Sequence, residues 1–179
     1  MDKKVTKLKV KYHLGYEPDF TVPVSYKDYR FVLGKHGKKP LICIGMNPSA
    51  AREEYSDRTV NKVIKNAINN GYDGWIMLNI YPERATEAKN LNPYSEELHK
   101  SNIENIISII KKYDATEVWG AWGDIDTKQK YLSQVKQDII QTLKKNNIKV
   151  FHFQELSKIG NPKHPLYIKI DFNNKNYLE

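Results

Sequence analysis

The chain has 179 residues, of which 40% are hydrophobic and 28% are charged, and its formal net charge is +8. This length predicts one globular domain with a single core, and this composition excludes collagen-like, mucin-like and wholly disordered chains. No apolar run approaches the roughly 18 residues of a membrane helix, and the first residues lack the continuous hydrophobic stretch of a secretory signal.

Charge and cysteine content point to the setting and the partner. The single cysteine, Cys43, cannot form an internal disulfide or supply a multi-cysteine metal site. We therefore expect a reducing, cytoplasmic setting without membrane association. The excess of 29 Lys and Arg over 21 Asp and Glu favours a nucleic acid or nucleotide as partner, and a merely basic surface is the alternative. The histidines show no metal-ligand spacing, so no metal and no cofactor are expected. The oligomeric state is left open.

The N-terminal region predicts an outer strand or hairpin. Apolar residues alternate there with basic ones, which is the period-2 pattern of a half-buried strand; they are Leu8, Val10, Tyr12 and Leu14. Residues 29–33 are expected to pair with this strand. We therefore expect residues 1–39 to be an extension packed on the core of a single domain that covers residues 1–179.

Four short apolar segments predict buried strands, at 41–44, 75–78, 117–123 (with the exit turn) and 148–153. Amphipathic segments between them predict three helices. The first is capped by Asp57 and closed by Gly71, the second begins at Ser95 or Ser101, and the third covers 126–146. This alternation predicts an α/β fold, with a mainly parallel four-stranded sheet between helices in three α/β/α layers.

In such sheets, ligands bind beyond the carboxyl ends of the strands. Three loops leave the predicted sheet at that edge, and they carry Asn47, Asn79 and His164. Taken singly, these residues are compatible with a turn, a cap and a solvated loop side chain. Their common location predicts that the three side chains line one pocket.

Four short motifs resemble those of the uracil-DNA glycosylase superfamily and occur in the same order. The motifs are Gly45-Met46-Asn47-Pro48, Leu78-Asn79, Val118-Trp119-Gly120 followed by Gln129-Lys130, and His164-Pro165. The resemblance implies a uracil-DNA glycosylase-like fold, recognition of a nucleobase and a role in DNA repair.

A longer pattern is similar to a bacterial and phage family known as domain of unknown function 1643. It consists of M-N-P-S-A, D-x-T, L-N-I-Y-x-x-R-A-T, W-G and H-P-L-Y. Two positions depart from the glycosylases, since Ser49 replaces a glycine and Leu166-Tyr167 replaces the Ser-Pro of the DNA-inserting loop. The ligand can therefore differ from plain uracil in DNA.

The glycosylase resemblance implies roles for individual residues. As catalytic candidates, Asn47 would orient a water and His164 would donate a hydrogen bond to the base oxygen on which charge develops. Asn79 would pair with a pyrimidine edge through its amide. The other candidates for base or nucleotide binding are Gly45, Met46, Pro48, Ser49, Tyr81, Arg84, Trp122 and Tyr167. A surface ion pair is the alternative for Arg84, and core packing is the alternative for Tyr81.

These residues favour a DNA base glycosylase that hydrolyses the N-glycosidic bond of a uracil-like or modified pyrimidine. Two other hypotheses stay open. One is a non-catalytic nucleotide-binding protein, such as a sensor, an inhibitor or a sequestering protein. The other is a hydrolase that acts on a free or hypermodified nucleotide.

Overall fold

The computed structural model describes residues 10–179. Over these residues the chain forms a mixed α/β fold with one seven-stranded sheet and three α-helices. The strands are β1 (Phe20–Val22), β2 (Val32–Lys35), β3 (Pro40–Gly45), β4 (Gly74–Asn79), β5 (Glu117–Gly120), β6 (Lys149–Phe153) and β7 (Lys175–Tyr177). The helices are α1 (Arg58–Asn69), α2 (Glu96–Lys112) and α3 (Lys130–Lys145).

The centre of the sheet is parallel and its margins are antiparallel. The strand order is β1-β2-β4-β3-β5-β6-β7; β3 pairs in parallel with β4 and β5, and β5 pairs in parallel with β6. The four predicted strands form this centre. The predicted strand number is wrong, because β1 and β2 extend the sheet on one side and β7 extends it on the other, all in antiparallel pairing.

Helices cover both faces of the parallel centre. Side chains of β3 alternate between two clusters: Leu41 and Cys43 pack with the apolar side of α1, and Ile42 and Ile44 pack with α2 and α3. Strands covered on both faces are apolar at every position. This burial explains why β3 and β4 appear in the sequence as short continuous apolar runs.

The N-terminal prediction needs correction. Leu8 lies outside the described residues, and Val10 forms only an isolated antiparallel bridge with Ser56. Leu14 is 95% exposed and belongs to no strand. The outer edge of β2 is occupied by β1 instead, with Phe20 opposite Gly34. The alternation of apolar and basic residues therefore gave a wrong strand prediction here, because β1 and not the predicted segment pairs with the edge of the sheet.

The helix starts follow from capping side chains. The Asp57 carboxylate accepts a hydrogen bond from the Val60 N–H at 2.8 Å, and the Ser95 hydroxyl accepts one from the Leu98 N–H at 3.3 Å. Both capping predictions are confirmed, with Ser95 rather than Ser101 starting α2. The third helix begins later than predicted, at Lys130, because the chain first makes a 3-10 turn at Ile125–Thr127.

A search for membrane spans over residues 10–179 found no helix with both the length and the apolar character to cross a bilayer.

Candidate functional site

The carboxyl ends of the parallel strands open into a cavity of about 770 Å³. Gly45 ends β3 and Asn79 ends β4, and the two residues are register partners in the parallel pair. The loops that follow β3, β5 and β6 supply further walls of the cavity. Its volume is that of a site for a small ligand or cofactor.

Asn79 lies at the floor of the site and is 3% exposed. Its backbone carbonyl accepts a hydrogen bond from the Asn102 side chain of α2 at 2.9 Å, which anchors this strand end. Its own side-chain Nδ2 is buried without a hydrogen-bond partner among the described residues. A buried amide donor without a partner costs about 1–3 kcal/mol, and an acceptor in the cavity would satisfy it.

Gly45 makes room for the Asn79 side chain. A Cβ at position 45 would lie 3.2 Å from Asn79 Oδ1 and 3.4 Å from Met77 Cε. A larger residue at this position would press on the amide. The glycine at the end of β3 therefore relieves a tight contact with the Asn79 amide.

Asn47 sits in the loop after β3, with its amide nitrogen committed to the protein. Its Nδ2 donates to the carbonyls of Ala85 at 2.8 Å and Pro48 at 3.1 Å, and more weakly to that of Glu83 at 3.4 Å. Its Oδ1 accepts no hydrogen bond from the described residues. The amide orientation is thus set by three carbonyls, and its oxygen is left as an acceptor on the cavity wall.

His164 enters the cavity from the loop after β6. Its Nδ1 accepts a hydrogen bond from the Leu166 N–H at 3.3 Å and caps the short 3-10 helix Pro165–Tyr167. This bond assigns the ring proton to Nε2. Burial lowers the pKa of His164, against the opposing charge of Asp57. The ring is therefore neutral at pH 7 and carries one donor, Nε2–H.

Gly123 brings the loop after β5 against His164. Its φ of +64° lies in the left-handed region, and a Cβ there would meet the His164 Cβ at 3.3 Å. Its N–H donates to the Pro162 carbonyl at 2.9 Å. This hydrogen bond joins the loop after β5 to the loop after β6 close to His164.

A buried ion pair anchors the loop that leads to His164. Lys136 of α3 is 7% exposed, and its Nζ lies 2.8 Å from both Asp126 carboxylate oxygens and from Asn161 Oδ1. Burial raises the pKa of Asp126, but hydrogen bonds from Lys136 and Asn161 outweigh it and keep that pKa below its ordinary value. Asn161 stands three residues before His164, so this network fixes the start of the His164 loop.

The cavity lining carries charge of both signs. Lys89, Lys128 and Lys163 contribute ammonium groups, and Asp57, Glu87 and Asp124 contribute carboxylates. Lys89 pairs with Glu87 at 2.7 Å. The Asp57 carboxylate accepts a hydrogen bond from the α1 backbone, and the Asp124 carboxylate accepts one from the Ser157 hydroxyl at 2.5 Å. Over residues 10–179 there is no group of three or more His, Cys, Asp and Glu side chains that could hold a metal ion.

Most of the residues singled out in the sequence line this one cavity. They are Gly45, Met46, Asn47, Pro48, Ser49, Asn79, His164 and Tyr167. Tyr167 is 84% exposed, and its ring centre lies 5.4 Å from that of His164. It therefore stands at the mouth of the cavity and not on its floor.

Three other candidates do not line the cavity. Tyr81 and Trp122 are both fully buried in the core cluster that packs on α2 and α3, and the Tyr81 hydroxyl accepts the Ser95 N–H at 3.0 Å. Arg84 is turned outward, where it stacks on Tyr26 at 4.7 Å and donates to the Lys27 carbonyl at 3.1 Å. Burial in the core and an outward local partner remove these three side chains from the site.

The structure adds Arg30, which the sequence did not single out. It lies just before β2, is 3% exposed and lines the cavity. No motif surrounds it in the sequence, and only the antiparallel placement of β2 beside β4 carries it to this edge.

The comparisons with known proteins give a family. The model of a family described as a protein of unknown function (DUF1643) matches residues 30–166, which is more than half of the chain. Neither the search of curated proteins nor the search of solved structures found a match. The matched range begins at Arg30 and includes Asn47, Asn79 and His164.

Proposed function

Because the chain belongs to the DUF1643 family, whose description states no activity, we propose its function from the cavity itself. The protein recognises a nucleobase and hydrolyses the N-glycosidic bond of a uracil-like or modified pyrimidine, acting as a DNA base glycosylase. The resemblance of its motifs to the uracil-DNA glycosylase superfamily supports this proposal. So does a parallel strand centre between helices, which is compatible with a glycosylase-like three-layer α/β/α domain.

The observation that carries the proposal is the unpartnered amide of Asn79. A side-chain amide presents one donor and one acceptor side by side. The adjacent O4 and N3–H of uracil present the complementary pair. A pyrimidine in the cavity would therefore satisfy the buried Nδ2 of Asn79, which no described residue satisfies.

His164 supplies what bond cleavage needs at the base. When the C1′–N1 bond breaks, its electron pair leaves with the base, and negative charge develops on a base oxygen. A neutral imidazole with its proton on Nε2 donates a hydrogen bond to that oxygen without adding a full charge to the site. Loss of one such donor typically costs about 2.7–4 kcal/mol of transition-state stabilisation.

Asn47 supplies what cleavage needs at the sugar. Its free Oδ1 accepts a hydrogen bond from a water, whose oxygen then forms the new bond to C1′ as the bond to the base breaks. An amide does not take the proton of that water, which passes to solvent or to the departing base. This arrangement predicts slower chemistry than a carboxylate would give at the same position.

A second candidate is a protein that binds a nucleotide without cleaving it. The absence of a proton acceptor at position 47 favours it, since a binding protein needs only the orienting contacts. Hydrolysis of a free or hypermodified nucleotide is the corresponding variant of the enzyme proposal.

The test is base release from oligonucleotides that carry uracil, hydroxymethyluracil or other modified pyrimidines, detected as alkali-labile abasic sites. Free nucleotides are assayed in parallel by chromatography of the released base. Asn47→Ala and His164→Ala should each lose most of the activity, and Asn79→Ala should lose discrimination between bases. Asn66→Ala on the surface of α1 is the matched control and should behave as the wild type.

Activity unchanged in Asn47→Ala would reject the water-positioning role. Binding of nucleotides without release of any base would reject the enzyme proposal and support the non-catalytic nucleotide-binding protein. Failure to bind any nucleobase-containing ligand would overturn both.

A further inference from the structure

Arg30 is a buried cation without an anionic partner among the residues that the structure describes. It is 3% exposed, and its Nη1 donates to the Ala51 carbonyl at 2.5 Å. Its Nε is buried and has no hydrogen-bond partner among the described residues. The ion pairs found over residues 10–179 do not include it.

An unpaired buried guanidinium is costly, because the charge loses its hydration without gaining an ion pair. Burial, with the neighbouring charge of Arg84, lowers the pKa of Arg30 to about 10. The group still carries its proton at neutral pH. The fold therefore maintains a full positive charge on the cavity wall.

The nearby acidic groups do not neutralise this charge. Asp57 is an acidic residue that both lines the cavity and acts on Arg30 through its charge. Its carboxylate is committed to the Val60 N–H at 2.8 Å and the Ala51 N–H at 3.3 Å. Glu53 acts on Arg30 through its charge, in opposition to Arg84, but forms no ion pair with it. Arg30 therefore has no ion-pair partner among residues 10–179, and it lines the cavity.

We propose that Arg30 forms an anion subsite of this cavity and binds the phosphate ester of a nucleotide ligand. A guanidinium binds phosphate through two parallel hydrogen bonds, and the donors of Nε and Nη2 make no hydrogen bond within the described residues. The hydroxyls of Ser49 and Thr59 line the same cavity and are likewise unused. The volume of about 770 Å³ leaves space for a sugar and a phosphate beside the base.

This inference rests on the proposed function for the nucleoside part of the ligand, but the phosphate contact can be tested by itself. Isothermal titration calorimetry at low salt is used to compare deoxyuridine, dUMP and 2-deoxyribose 5-phosphate. The proteins are wild type, Arg30→Met and Arg84→Met. Arg84 is the matched control, since it lies near the Ala51 carbonyl at 3.5 Å but does not line the cavity.

The wild type should bind dUMP at least about tenfold more tightly than deoxyuridine, as a charge-assisted contact predicts. Arg30→Met should bring the two affinities within about twofold of each other, while the affinity for deoxyuridine itself stays near that of the wild type. Arg84→Met should keep the preference for dUMP. If Arg30 only held the loop at Ala51, both ligands would weaken together and the preference would survive, which overturns the proposal.

Arg30→Lys provides a second variant if Arg30→Met does not fold. Lysine keeps the positive charge but lacks the two parallel N–H donors of the guanidinium. The preference for dUMP should therefore fall only in part. Competition of inorganic phosphate against dUMP, but not against deoxyuridine, provides the same answer with the wild type alone; equal competition, or none, contradicts the subsite.

Two further comparisons separate the possible outcomes. Arg30-dependent binding of 2-deoxyribose 5-phosphate would support the subsite even if base recognition failed, whereas deoxyuridine binding without any phosphate preference would overturn the subsite and leave the proposed function intact. A uracil-containing oligonucleotide identifies the source of the phosphate. If its affinity falls in Arg30→Met, the phosphate belongs to a strand; if only dUMP weakens, it belongs to a free nucleotide.

Discussion

At the scale of single residues, the site depends on where each polar atom has its partner. The Asn47 amide nitrogen donates hydrogen bonds to backbone carbonyls, and the Nδ1 of His164 accepts a hydrogen bond from the Leu166 N–H. Asn79 is the opposite case, since its Nδ2 is buried and has no hydrogen-bond partner among residues 10–179. The protein therefore orients the side chains of Asn47 and His164, whereas the Asn79 amide keeps a donor that a ligand would use.

Gly45→Ala should weaken nucleotide binding through Asn79. The added methyl would lie 3.2 Å from Asn79 Oδ1, so the amide must shift by a few tenths of an ångström. We expect a loss of affinity for dUMP of about tenfold and a loss of about 1 kcal/mol in the free energy of unfolding. Ile44→Val, whose side chain faces α2 and α3, should cost similar stability and leave dUMP affinity unchanged. Equal affinity in Gly45→Ala and Ile44→Val would contradict the close-approach argument.

His164 should make stability depend on pH. Because burial lowers its pKa in the folded state below the ordinary value of 6.5, the unfolded chain binds more protons just below that pH. Its contribution is therefore fully present above about pH 6.5 and is lost as the pH falls. Urea unfolding between about pH 8 and pH 5 should show a shallower decrease for His164→Gln than for the wild type. The pKa of His152 is also lowered by burial, but His152 is present in the wild type and in His164→Gln and should contribute equally to the two stability curves. Superimposable curves for the two proteins would reject the assignment to His164.

At the scale of elements, the loops after β5 and β6 are held together from behind by α3. Lys136 reaches Asp126 at the 3-10 turn and Asn161 in the His164 loop, each at 2.8 Å. Asn161 is 1% exposed and also donates to Asp126 at 2.6 Å. The helix therefore determines where the catalytic candidate stands, although it contributes no residue to the cavity lining.

Lys136→Met should destabilise the protein and disturb the site together. Removing the ammonium leaves Asp126 partly buried without its counter-charge, which should lower the free energy of unfolding by about 2–4 kcal/mol. Chemical denaturation measures this loss, and dUMP titration measures the site. The double variant with Asp126→Asn should recover part of the stability, because the stranded charge is gone. A double variant that is no more stable than Lys136→Met would show that the charge pair is not the cause.

At the scale of the whole molecule the net charge is +8, and the cavity lining carries both basic and acidic side chains. Three lysines, Lys89, Lys128 and Lys163, line the cavity at the carboxyl edge of the sheet. Lys145 ends α3 just before β6 begins and so stands near the opposite edge. Lys163 and Lys145 therefore stand at opposite edges of the sheet, and variants of the two can be compared directly.

Lys163→Gln should reduce the salt dependence of oligonucleotide binding. Each phosphate contact that is lost lowers the slope of log affinity against log salt by about one. Lys145→Gln serves as the matched control and should leave the slope unchanged. Filter binding over a salt series measures both. Equal slopes in the two variants would show that Lys163 at the cavity makes no contact with the phosphates of the nucleic acid.

The sequence by itself determined the elements whose causes are local. The Asp57 and Ser95 caps act within one helical turn, and the short apolar runs at 41–44 and 75–78 follow from burial on both faces. Strand ends in a parallel centre share one edge, so the motifs around Asn47, Asn79 and His164 indicated a common location before any coordinates.

Only the tertiary structure decided which side chains reach the cavity. Arg84 lies in the R-A-T pattern and Arg30 lies in none, but the pairing of β2 with β4 brings Arg30 to the cavity, whereas Arg84 stacks on Tyr26 and does not line it. Trp122, a binding candidate from the sequence, is buried because core side chains of α2 and α3, distant in the sequence, pack around it. The edge strands β1 and β7 have three residues each, too few to show a period. Such outcomes depend on contacts between distant segments, and local patterns do not contain them.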